Sequence, residues 1–192
     1  MKIQIITNLA DVERNLLSQY KSTEKLNNLT RIVALTLMDE IRWRIENKGK
    51  AADNAKIGSY SKSPIYVSLS RSPKKFAPLG KQLKSGKRRS KFANGKSHRS
   101  RYFAGGYNEF KTSIGRNTLG SVNLYLTGQF LNSMTILPTS RGWGIGWNEN
   151  SFVKRAKHFQ KKYGKIIFGL TPAERKLAIR VINRELKRNA IS

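Results

Sequence analysis

The sequence contains no cysteine, only two histidines and only 11 acidic residues among 192. Without cysteine there is no disulfide scaffold and no thiolate zinc site, and the redox compartment stays open. The histidines, His98 and His158, stand in unrelated contexts, and no HExxH-type spacing occurs. A lone histidine of this kind is far more often a surface or packing residue than a catalyst or ligand. No window of about 18 apolar residues exists, which excludes a membrane-spanning helix. The first residues, MKIQIITNLADVERNLL, hold no continuous apolar run and include Asp11 and Glu13, which speaks against a secretory signal. The expectation is a soluble protein made inside the cell.

What the chain does have is positive charge: 38 Lys and Arg give a formal net charge of +27. Such a charge strains a compact state unless a polyanion or acidic protein lies nearby. Nucleic acid is the commonest such neighbour, with acidic proteins and anionic lipid heads as the others. The length predicts one domain, 1–192, large enough to bury a core of its own.

Three regions differ in texture. In the first, KIQIIT (Lys2 to Thr7) reads as a short strand and DVERNLLSQYKS as a short helix behind Asn8. From Thr23 to Asn47, Leu26, Leu29, Val33, Leu37, Ile41 and Ile45 recur every three or four residues, widened by Ile32, Ala34 and Met38. This predicts an amphipathic helix of about six turns, ended by Gly49. The second region, about 54–115, is read as an irregular basic arm inserted in the domain. It holds no Asp or Glu from Asn54 to Asn108, and SPIYVSL (Ser63 to Leu69) is its one expected strand.

The third region regains globular texture. A helix or turn is expected around Leu124 to Ser133, then a strand SMTILPT and a second strand RGWGIGWNE, joined as a β-hairpin. In the second strand Trp143, Ile145 and Trp147 alternate with glycines, which predicts close approach of another element to the glycine face. FVKRAKHFQKKYG (Phe152 to Gly164) reads as a basic helix with a glycine C-cap. The last helix has Thr171 as N-cap, Pro172 at N1 and Glu174 at N3, a capping box, with Leu177, Ala178, Val181, Ile182 and Leu186 as its apolar face.

Little chemistry can be assembled from these residues. Asp39, Glu40 and Glu46 share one helix, and Glu40 four residues from Arg44 reads as an ordinary helix ion pair. Nothing brings Asp39, Glu46, Asp53 and Glu109 together as a two-metal nuclease requires, and GWGIG lacks the Lys-Ser/Thr of a phosphate loop. No catalytic residue, cofactor or metal is expected. Nucleic-acid contact has more support. The stretch Gly80 to Arg101 has nine Lys or Arg in 22 residues, and Phe76, Phe92, Tyr102, Phe103 and Tyr107 lie within or beside it. Lys84, Lys87, Arg88, Arg89, Lys91, Arg99 and Arg101 are the candidates for contact with DNA or with an acidic partner. With no helix-turn-helix, ribonucleoprotein motif or zinc finger alongside, such contact would be to the phosphate backbone, without sequence readout.

The third region also carries a resemblance. GRNTLGSVNLYLTGQFLNSM (Gly115 to Met134) resembles the central signature of tail-completion and virion-morphogenesis proteins of tailed bacteriophages, an L-T/S-G-x-L/F-x-x-S element matched by Leu126, Thr127, Gly128, Phe130 and Ser133. KKYGKIIFGLTPAERKLAIRVINRELKR is similar to the family's Y-G-x-x-x-F-G-L tract and final helix. The resemblance implies an α+β fold, a small antiparallel sheet packed by an N-terminal and a C-terminal helix. It implies a non-enzymatic neck, head–tail connector or tail-terminator subunit that assembles in a ring within the virion, having been made in the host cytoplasm. Copies of itself and other virion proteins (portal, adaptor, tail tube) are the implied partners, with packaged DNA as a further one and no membrane. Leu126, Gly128, Phe130, Met134, Trp143 and Trp147 are then expected in the core or at assembly interfaces. The alternative, from a different class, is a basic nucleic-acid-binding protein.

Overall fold

The computed structural model of the chain describes residues 23–68, 88–91, 97–116, 120–140 and 142–191. The expected strand at Lys2 to Thr7 and the helix behind it lie outside these residues. The fold is α+β, with five α-helices and two small antiparallel sheets among the described residues. The chain divides into two compact units, one built from residues 1–57 and 123–192 and the other from Gly58–Val122.

In the first unit, helix α1 (Thr23–Trp43) buries Leu29, Val33, Leu37 and Ile41, the stripe that the heptad-like spacing predicts. Its last turn, Arg44–Lys48, is a π-turn rather than α-helix, and Gly49 closes it at φ 58°. The wider turn lets two consecutive residues, Arg44 and Ile45, both face the interior. Strands β4 (Thr135–Thr139) and β5 (Gly142–Gly146) form the expected hairpin, paired from Thr135↔Gly146 to Thr139↔Gly142. The hairpin and the C-terminal helix α5 (Pro172–Ile191) both pack on α1. A Cβ at Gly142 would lie 2.8 Å from Thr30 Oγ1, so the element that approaches the glycine face is α1 itself. Helix α4 (Asn150–Tyr163) buries Phe152, Val153 and Ala156 and ends at Gly164, φ 61°.

The second unit differs from expectation. Where described, the region read as an irregular arm holds a three-stranded antiparallel sheet of β1 (Ile65–Ser68), β2 (Arg88–Lys91) and β3 (Ser97–Phe103), with β3 in the centre. Helix α2 (Gly106–Ser113) follows and packs Phe110 on Phe103, ring centroids 5.4 Å apart. Val122 N–H donates to Gly58 O at 2.9 Å, joining the two ends of the insertion. RRSK and SHRSRYF carry Arg, Lys, Ser and His at most positions of both faces, so no period-two hydrophobic signal marks them as strands. β2 and β3 pair as neighbours in sequence, from Lys91↔Ser97 to Arg88↔Ser100, while β1 joins β3 from some thirty positions away.

Candidate functional site

The cationic candidates fall on two paired strands. Arg88, Arg89 and Lys91 lie on β2, and Arg99 and Arg101 on the central strand β3. The register sets Arg89 directly opposite Arg99, Arg88 opposite Ser100, and Val67 of β1 opposite Arg101. Two like charges at one cross-strand position disfavour the pairing unless an anion lies between or over them. Lys84 and Lys87, like Phe76 and Phe92, lie outside the described residues. Next to these positions, Tyr66 and Tyr102 form a cross-strand aromatic pair with centroids 5.0 Å apart, and Tyr66 is half exposed.

The helix that follows this sheet holds a buried lysine that the sequence did not single out. Lys111 of α2 is 1% exposed, with its ammonium 5.1 Å from the centroid of Tyr60. Burial, with the nearby Arg116 charge second, lowers its pKa to about 8. A lysine in an amphipathic helix is ordinarily read as a solvated position, so nothing local could have marked it.

In the first unit, the residues of the phage-like element come together around one ring. Gly128 starts the short helix α3 (Gln129–Asn132) at φ 80°, and a Cβ there would meet the Tyr125 ring and the Asn132 amide at 3.0 Å. That turn delivers Phe130 into the core. Phe130 stacks on Trp147 at 5.0 Å and meets Phe152, Phe159 and Phe168 at 6.2, 5.3 and 5.9 Å. The Trp147 indole N–H donates to Phe130 O at 3.0 Å, and Phe168 contacts Trp147 edge-on at 5.0 Å. Met134 is buried and Leu126 half-buried. Trp143 stands two residues before Ile145 on β5 but nearer the surface. It is only half-buried, donating from its indole to Asn27 Oδ1 at 2.7 Å under the Arg31 guanidinium.

Two arginines of the N-terminal helix lock this cluster in place. Arg42 donates to the carbonyls of Leu131, Asn132 and Met134, satisfying the open C-terminal end of α3. Arg44 was expected to pair with Glu40 on the helix surface. It is instead buried, because the π-turn points it inward, and its Nε donates to Glu174 Oε1 at 2.8 Å. Its other nitrogens donate to the carbonyls of Lys50, Ile167 and Gly169. Glu174 is the acid of the predicted capping box: its Oε2 accepts the Thr171 N–H at 2.7 Å, and its own N–H donates to Thr171 Oγ1 at 3.1 Å. One carboxylate thus serves as helix cap and as counter-ion.

Among the described residues there is no group of three or more His, Asp or Glu side chains that could hold a metal ion. No described helix is long and apolar enough to cross a membrane. Both histidine positions are scattered, His98 on β3 opposite Ser90 and His158 exposed on α4. Compared with protein-family models, curated proteins and solved structures, the chain has no match.

Proposed function

We propose that this chain is a structural virion protein of a tailed phage, a neck, head–tail connector or tail-terminator subunit that acts by assembling into a ring. The observation that carries this reading is the convergence on Phe130. Phe130 from one of the two short tracts behind the phage resemblance meets Phe168 from the other, 38 positions on, within a single aromatic cluster. These tracts build a rigid scaffold. Their backbone carbonyls and the Glu174 carboxylate are taken up by caps and by clamps from Arg42 and Arg44. A site of this kind offers shape and charge, not reactive groups, which favours a role in assembly over catalysis. In this reading the basic insertion meets packaged DNA or acidic surfaces of portal, adaptor or tail-tube neighbours.

The test is direct. The purified chain is examined by light scattering and negative-stain electron microscopy over a range of concentrations, and discrete closed rings are expected. A monomer that persists at high concentration and never co-purifies with virions would sink the proposal.

A second reading, a nucleic-acid-binding protein that contacts the phosphate backbone, is favoured by the Arg89↔Arg99 register, which sets two cationic residues at one paired position of β2 and β3. It predicts duplex binding that weakens steeply with salt in a protein that forms no rings.

A further inference from the structure

The outward side of α4 carries chemistry that neither reading above uses. Phe152, Val153 and Ala156 turn its other side to the core, so the helical period brings Lys154, Lys157, His158 and Lys161 together, all exposed. No acidic residue occurs from Asn150 to Tyr163, and among the described residues none of these lysines is ion-paired. Arg155 and Lys162 flank the stripe, each with its charge 5.5 Å from a ring centroid, of Phe152 and Tyr163. Like charges three and four residues apart on a helix repel. The arrangement is therefore held at a cost that an external anion removes.

The class of that anion follows from comparison with the exposed face of α1 in the same unit. On α1, Ile32, Leu35 and Trp43 are 38%, 38% and 49% exposed, with exposed Asp39 and Glu40 on the same side. That mixture suits a protein partner. The α4 stripe has no exposed apolar side chain, and lysine is among the residues that protein–protein interfaces deplete. Phosphate neutralisation by lysine is the principal source of affinity for nucleic acid. Lys154 to Lys161 spans about 10 Å along the helix axis, the rise of about three phosphates on one strand of a duplex.

We propose that Lys154, Lys157 and Lys161 of α4 bind the phosphate backbone of double-stranded DNA, as a contact additional to the cationic strands β2 and β3. The proposal shares only the nucleic-acid element of the preceding readings and stands whether or not the chain occupies a virion. The experiment is fluorescence anisotropy of a labelled DNA duplex with the full chain and with the K154Q/K157Q/K161Q variant. Salt is varied from about 50 to 200 mM, and circular dichroism establishes that the variant is folded. Loss of three contacts makes the log–log salt slope shallower by about 2.7, so the wild type loses about 40-fold more affinity than the variant across that range. An unchanged slope overturns the proposal. So does intact duplex binding with loss of binding to polyglutamate, which would make the face a site for acidic protein. Shallower salt dependence in a protein that forms no rings upholds this site and removes the virion reading.

Discussion

Replacing Arg44 with alanine removes the one side chain that ties the end of α1, the Lys50 carbonyl, the Ile167–Gly169 loop and the start of α5 together. Arg44 is 5% and Glu174 6% exposed, so the substitution strands a carboxylate in the interior and leaves three backbone carbonyls short of a donor. Breaking a buried ion pair on one side costs about 3–5 kcal/mol, against a total stability of about 5–15 kcal/mol for a typical domain. At about 3–5 °C per kcal/mol for a unit of this size, the melting temperature falls by about 10–20 °C. Thr171→Ala, which removes only the reciprocal cap, costs about 1 kcal/mol. Arg44→Lys keeps the charge but loses the planar fork, and falls between the two. All three tryptophans, Trp43, Trp143 and Trp147, lie in the first unit, so urea denaturation followed by tryptophan fluorescence reads this unit alone. Equal costs of about 1 kcal/mol for Arg44→Ala and Thr171→Ala would refute the clamp, because the buried pair would then add nothing to the cap.

Phe130→Ala empties the centre of the aromatic cluster and is expected to cost about 3–5 kcal/mol, with Trp147 emission shifting to the red. Gly128→Ala places a side chain at φ 80° against the Tyr125 ring; a loss of at least 1–2 kcal/mol is expected, read by denaturant titration. Lys111 titrates near pH 8 in the folded chain and near its ordinary 10.5 when unfolded. Between these values the unfolded chain binds more protons, so stability of the second unit rises from about pH 8 to 10.5 and is flat below. A ¹³Cε titration of Lys111 reads the folded value, and Lys111→Met is expected to abolish the rise in thermal stability over the same window.

The elements legible in the sequence are those whose determinants are local. The α1 stripe, the Gly49 and Gly164 caps and the Thr171–Glu174 capping box are set by residues within a few positions of each other, and each appears where its pattern placed it. The hairpin was legible for the same reason, two β-rich runs around a short polar turn. The strands of the inserted unit were not, because RRSK and SHRSRYF have no apolar face and acquire a partner only through pairing. Of the candidate cationic residues, the sequence supplied the identities, while the register that sets Arg89 against Arg99 belongs to the fold.

The sequence by itself determined a basic, cysteine-free chain with a long amphipathic helix from Thr23, a glycine-rich hairpin and a capped helix from Pro172. These follow from side-chain periodicity and from backbone preferences that act over one or two turns. Only the tertiary structure decided what the polar residues do. Arg44 lies four residues from Glu40 but finds Glu174, 130 positions away, because a π-turn faces it inward and burial makes a counter-ion obligatory. Lys111 is likewise an unremarkable helix residue until packing removes its water. Charge is written in the sequence, but whether a charge is solvated, paired or held against its own kind depends on what the fold brings beside it.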